Sequence, residues 1–241
     1  MQKLTFINIL CLILISCTPK HKAEPIKDIK FDSLSITDNE RKGIKDVVDF
    51  FGGKCECITR NSSKEVGDKG KYLTLELSKS DFIEKQNDPM QALTNAVYRF
   101  HRNLKEEKMY YTNIHVILDY SDNHKTIGNF SITDLDTVDN RMIIVNEVVK
   151  LIQDRKYDSL ESRFYNTGTT ENNKLVSYIK KNESKLGPIT GRFELYGFMF
   201  NDTIMHLYGK IIRNKFNSDF SIDLDMNEKS DKVHMIKYTF W

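Results

Sequence analysis

The chain has 241 residues, 39% of them hydrophobic, and its 36 Lys plus Arg against 34 Asp plus Glu give a formal charge of +2. Neither sign is confined to one half, which excludes the basic face or tail of a nucleic-acid binder. Four Pro and 11 scattered Gly argue against general low-complexity disorder, and the length admits one large or two small domains.

The N-terminus carries Lys3, an apolar run over residues 6–15 interrupted only by Asn8 and Cys11, and the small residue Ser16 before Cys17. These are the three parts of an export signal. The run stops after roughly ten residues and the polar Thr18-Pro19-Lys20-His21-Lys22 follows, whereas a membrane-crossing helix needs about 20 apolar residues. Leu14-Ile15-Ser16-Cys17 resembles the bacterial lipobox. That resemblance implies cleavage after residue 16, acylation of Cys17 and a palmitate-type anchor in the cell envelope. The default address is the outer membrane facing the periplasm, since Thr18 is not the Asp that favours inner-membrane retention. The alternative is an ordinary secretory peptide in which Cys17 is incidental. Residues 17–35, with Pro19 and Pro25, read as a tether.

Thr37 or Asp38 caps a helix bearing Ile44, Val47, Val48 and Phe51, which stops at Gly52-Gly53. Residues 55–60 read as a short strand. Cys55 and Cys57 share one of its faces, either as a reactive or metal-binding pair or as two small buried hydrophobes, the simpler reading. The glycine-punctuated turn over 61–71 leads to a strand over 72–78 with Leu73, Leu75 and Leu77 on one face. Asp88-Pro89 starts a helix carrying Met90, Leu93, Val97, Phe100 and Leu104 to about Lys108. Strands over 114–120 and 127–132 pair around Ser121-Asp122-Asn123-His124, and Asp134-Leu-Asp136 reads as a link.

A helix opening at Asp139 carries Ile143, Ile144, Val148, Leu151 and Ile152 to Asp154, a short one carries Tyr157, Leu160, Phe164 and Tyr165, and a third spans 170–185. Four strands follow, over 189–200, 203–213, 216–225 and 232–241. The expected organisation is α+β: a signal over 1–16, a tether over 17–35 and two small domains, 36–136 and 139–241, each of helices on an antiparallel sheet. Helices followed by a four-stranded meander, with Asp154-Arg155-Lys156-Tyr157-Asp158-Ser159-Leu160 and Gly187-Pro188 as local echoes, resemble the cystatin-like cone fold of the nuclear-transport-factor-two-like superfamily. The resemblance covers roughly residues 139–241 and implies a fold and a pocket but no reaction.

Alternation places Phe193, Leu195, Met205, Leu207, Ile211, Phe220, Ile222, Leu224, Ile236, Tyr238 and Phe240 on the core side of this sheet. The other side presents Arg192, Glu194, Tyr196, His206, Tyr208, Lys210 and Lys237. The first six are the candidate binding face, since aromatic bodies with polar tips suit interfaces; an ordinary solvated face, or one covered by the N-terminal half, is the simpler reading. The six His are dispersed, and no HExxH, Gly-x-Ser-x-Gly or phosphate-cradling loop occurs. Asp119, Asp122 and His124 suit a turn, and Asp223-Leu-Asp225-Met-Asn227 starts like a calcium loop but meets Glu228 where Gly is needed. No cofactor or metal is expected. The expected role is a membrane-anchored interaction or ligand-binding module with an envelope partner, the alternative being a hydrolase or isomerase with Tyr157, Tyr165, His206 or Tyr238 at the mouth of the cone.

Overall fold

A computed structural model describes residues 36–61, 71–165, 169–214, 218–227 and 229–239. The expected leader, the lipidation position Cys17, the tether, most of the turn over 61–71 and Phe240 lie outside the described residues.

Helix α1 (Asp38–Phe51) begins where Thr37 can satisfy a free backbone N–H. Its Oγ1 accepts from Glu40 N at 3.2 Å, while Glu40 Oε2 accepts from Thr37 N at 2.7 Å. Val47 and Phe51 are buried, and the helix stops at Gly52, whose φ of 67° suits a residue without Cβ. Strands β1 (Lys54–Asn61) and β2 (Lys71–Ser78) pair antiparallel, with Cys55 opposite Leu77 and Cys57 opposite Leu75. Leu73, Leu75 and Leu77 are fully buried, as their alternation requires.

A short helix, α2 (Asp81–Glu84), precedes α3 (Pro89–His101), which Asp88 caps through Met90 N and Gln91 N with Pro89 in its first turn. The expected run to Lys108 is corrected: the helix ends at His101, and a 3₁₀ turn, Glu106–Tyr110, follows. Glu107 closes that turn by accepting from Lys105 N and from Asn39 of α1, both at 3.0 Å. Strands β3 (Asn113–Asp119) and β4 (Lys125–Ser131) complete a sheet of order β1-β2-β3-β4. It is mixed rather than antiparallel, because β2 and β3 run parallel. The chain leaves β2 and returns through α3, and such a crossover sets both strands in one direction.

Helix α4 (Ile132–Gln153) starts directly after β4, with Ser131 Oγ accepting from Asp134 N at 3.0 Å. The helix expected to open at Asp139 thus begins seven residues earlier, and the link expected around Asp134 and Asp136 is helical. Helices α5 (Tyr157–Glu161) and α6 (Thr169–Glu183) lead into strands β5 (Ile189–Asn201), β6 (Ile204–Arg213), β7 (Ser218–Asp225) and β8 (Val233–Thr239), an antiparallel meander in chain order. The protein is α+β, with six α-helices and two four-stranded sheets among the described residues, and Ser33–Trp241 forms one compact unit. In β5 a bulge at Tyr196 shifts the register, so Phe193 and Leu195 before it and Phe198 after it all point into the core.

The second sheet is tied to α6 by a buried ion pair. Arg213, whose side chain has no exposure, reaches both Glu183 oxygens at 2.5 and 2.9 Å and donates to Gly187 O and Ser218 Oγ, while Tyr238 Oη donates to Glu183 at 2.7 Å. Removing one partner strands the other's charge, so Arg213→Met is expected to cost about 3–5 kcal/mol, and Glu183→Leu in the same chain to restore most of it. Urea unfolding at constant m-value measures both; a loss below about 1 kcal/mol in the single variant would show that the pair does not hold the sheet to α6.

Candidate functional site

An edge strand needs a cover, and α3 supplies one to β5. Its residues Ala92 to Val97 are all buried, between the first sheet and β5. At the bulge Asn95 Nδ2 donates to Leu195 O at 3.3 Å, and Asn95 Oδ1 accepts from Arg99 Nε at 2.7 Å. Arg99 in turn reaches Asp46 of α1 at 3.1 Å and lies 3.8 Å above the Phe50 ring. Arg102 Nε and Asn103 Nδ2 donate to the other Asp46 oxygen at 2.7 and 3.1 Å. Three elements are thereby fixed around one polar chain, and an open cleft of about 410 Å³ forms beside it.

The cleft is lined by Phe50, Phe82, Gln86, Gln91, Tyr196 and Lys210 among others. Phe50 packs edge-on against Phe51 and Phe82, and its centroid lies 6.0 Å from that of Tyr196. Phe82 is 41% exposed, an apolar ring left in water at the rim. Lys210 Nζ stands 5.4 Å from the Tyr196 ring and 3.4 Å from Glu194. The Tyr196 hydroxyl and then Glu194 hold the Lys210 ammonium above its usual pKa, so it is charged at neutral pH. The site therefore offers aromatic faces, amide hydrogen bonds, one cation and the carboxylate of Asp219, the cross-strand neighbour of Lys210.

Of the six face residues, the structure brings Tyr196 and Lys210 into this cleft with Glu194 beside them. Tyr208 lies over Gly197, where a Cβ would collide with its ring and come 2.8 Å from Thr94 Oγ1; it packs under α3. Burial pushes the Tyr208 hydroxyl up. His206 Nδ1 is 2.8 Å from Asp223 Oδ1, its cross-strand neighbour. Arg192 is exposed and does not line the cleft. Part of the face is thus covered by α3 of the N-terminal half.

Of the other candidates, Tyr157 and Tyr238 both lie by Glu183, next to an open cleft of about 470 Å³ lined by Tyr157, Lys180 and Glu183 among others, and the rest lie apart. Cys55 and Cys57 are free and half-buried against the core, and burial pushes both thiols up to about 12, which keeps them protonated and unreactive. Tyr165 stacks on His234 at 4.8 Å, Tyr157 lies under Lys180, and Tyr238 is engaged by Glu183. Asp122 accepts from His124 N, and Asp225 from Asn227 N, both as turn-forming contacts.

One cluster was missed. At the end of α3, His101 is fully buried, with Nε2 3.2 Å from Asp136 Oδ1 and Nδ1 3.2 Å from Asp139 Oδ2 of α4. Both distances suit charge contact, yet the carboxylates lie off the direction of the ring nitrogens and neither makes a well-aligned hydrogen bond. Lys108 Nζ lies 2.9 Å from each of the same two oxygens. Burial pushes the Asp139 carboxyl up, but its contacts with His101 and Lys108 outweigh this and hold it below the usual carboxylate range. The readable signal was Asp136-x-x-Asp139, an i, i+3 pair that shares a helix face only once the helix is started at Ile132.

No helix among the described residues is long and apolar enough to cross a membrane. Set against protein-family models, curated proteins and solved structures, the chain matches none of them.

Asn95→Ala removes the donor to Leu195 O and the acceptor for Arg99 together. The expected loss is about 1–3 kcal/mol by chemical denaturation, the cost of leaving a buried polar group unpaired. A loss under about 0.5 kcal/mol would show that α3 holds the β5 edge by apolar packing alone.

Proposed function

We propose that this chain is an envelope lipoprotein, anchored through acylated Cys17 in the outer membrane and facing the periplasm, whose folded part binds a protein partner at the cleft between α1, α2, α3 and the β5–β6 surface. The observation that carries the binding reading is the open aromatic cleft itself, with exposed Phe82, half-buried Phe50 and Tyr196, and charged Lys210. Concave, largely apolar sites with a few converging polar groups are where ligands settle. Aromatic residues there supply contact area at low entropy cost. The partner chemistry that fits is an apolar side chain flanked by hydrogen-bonding groups, its backbone met by the Gln86 and Gln91 amides.

Helices α4 to α6 followed by the meander β5 to β8 support the cystatin-like reading of residues 139–241. The hydrolase or isomerase alternative needs an acid or base at the bottom of a cavity under that sheet. The core under the sheet is filled, since Phe193, Leu207, Phe220, Ile222 and Leu224 are each no more than 2% exposed and Phe193, Phe220 and Tyr238 meet edge-on; an open cleft of about 470 Å³, lined by Tyr157, Lys180 and Glu183 among others, lies outside it beside the ends of α4 and α6. That packing favours binding over catalysis. The anchor is supported by the residues around Cys17 and by energetics, since each buried acyl CH₂ contributes about 0.8 kcal/mol and two or three chains hold a protein at a bilayer.

Cys17→Ser is expected to abolish palmitate incorporation in growing cells and to move the protein from the detergent phase to the aqueous phase. Labelling of the variant at the parent's level would overturn the anchor assignment. For the cleft, a photo-crosslinking amino acid at Phe82 in the native envelope is expected to capture one defined species. The same group at Ile127, 64% exposed on β4, should not. Adding Tyr196→Ala and Lys210→Glu should remove the adduct while the fold, followed by circular dichroism, is retained. The same species captured from both positions, or unchanged by the two substitutions, would sink the cleft as the binding surface.

A further inference from the structure

We propose that His101, Asp136 and Asp139 form a binding site for a divalent transition-metal ion of the zinc type, at which the Lys108 ammonium stands in for the cation.

Four observations converge. His101 is fully buried, and neither of its ring nitrogens makes a well-aligned hydrogen bond although both lie 3.2 Å from a carboxylate, of Asp136 and of Asp139. A neutral imidazole has one N–H and one lone pair. A lone pair 3.2 Å from a carboxylate oxygen is a poor match unless a cation joins them. The carboxylates are the second observation: they project from one face of α4, and the ligand atoms of all three residues lie within 4.8 Å of one another. Zinc bonds to imidazole and carboxylate are about 2.0–2.2 Å long, so ligands on a tetrahedron sit about 3.3–3.6 Å apart. An ion takes one ring nitrogen, so one of the two 3.2 Å separations already approaches a ligand–ligand distance, and the second carboxylate has to turn toward that same nitrogen.

The third observation is the lysine. Lys108 Nζ is 2.9 Å from Asp136 Oδ1 and from Asp139 Oδ2, so the place between the carboxylates is already selected for positive charge. Access is the fourth: the Asp136 side chain is 47% exposed and that of Asp139 28%, which leaves a way in and room for a water ligand, and the flexible Lys108 stem lets the ammonium swing out. The donor set decides the class of ion. One imidazole and two carboxylates suit Zn²⁺ or a similar borderline ion, whereas Ca²⁺ and Mg²⁺ prefer all-oxygen shells and Cu(I) prefers sulfur.

The test is equilibrium dialysis of the full chain in detergent against Zn²⁺, with metal counted by mass spectrometry. Bound Zn²⁺ is expected at one ion per chain. Asp136→Asn with Asp139→Asn, on a partly exposed helix face, should weaken binding at least tenfold. Lys108→Met, which removes the competing ammonium but keeps the apolar stem, should tighten it about tenfold. A cluster that is only an ion-pair network predicts the opposite for Lys108→Met: lower stability and no metal. Replacement of Cys55 and Cys57 by Ser should leave binding unchanged. Equal binding by the parent and the Asn double variant, or no stoichiometric Zn²⁺ at 100-fold excess on either the parent or Lys108→Met, would overturn the proposal.

Discussion

The buried Asn95 amide, held between the Leu195 carbonyl and the Arg99 guanidinium, is the contact on which the arrangement of this protein depends. Helix α3 is enclosed through its middle: Leu93, Ala96, Val97 and Phe100 are 0% exposed, and even Thr94 and Asn95 are buried. Within that stretch polar groups have no water to meet, so each one must find a protein partner. Asn95 meets that demand by using the backbone group that the Tyr196 bulge leaves on the edge of β5. The bulge and the amide thus explain each other, and the meander gains a covered edge without a fifth strand.

From this follows the position of both sites. The cleft lies beside the first two turns of α3, where Gln91 and Asn95 meet Phe50, Tyr196 and Lys210. The His101 cluster lies at the other end of the same helix, where it meets α4. Six residues at about 1.5 Å each put about 9 Å of rigid helix between Asn95 and His101. Residues that look unrelated along the chain, in α1, α3, β5 and β6, are neighbours because α3 is packed against all of them.

Much of this was readable from residues. The Thr37–Glu40 box, the Leu73, Leu75 and Leu77 face, the Asp88-Pro89 start and the four-stranded meander each depend on spacing over a few positions, and the structure has them where the spacing predicts. Strand direction was not readable, because β2 alternates in the same way whether its neighbour is parallel or antiparallel. The start of α4 was obscured by Asp134 and Asp136, which look like a link until Ser131 is recognised as the cap. The candidate face is made of positions that alternate with the core, since Tyr196, His206, Tyr208 and Lys210 are each half-buried beside buried neighbours. It was misleading as a surface, because which residues stay open depends on α3, about a hundred residues earlier in the chain. Covering of that kind is a long-range event that local periodicity does not encode.

Whether the two ends of α3 communicate turns on packing rather than proximity. Coupling between sites requires an element with two discrete arrangements whose balance both sites bias. Helix α3 is held by apolar contacts to the first sheet, by Asn95 to β5 and by the Arg99–Asp46 pair to α1, and displacing it would break all three together. Helix α4 is more lightly engaged on the face that carries Asp136 and Asp139, where both side chains keep contact with water. A change of cation at the cluster is therefore absorbed by the carboxylates of α4 and by Lys108, not by translation of α3. On the proposed assignments the cleft would keep its shape whichever cation lay between Asp136 and Asp139, and the two proposed sites would act independently on one rigid helix.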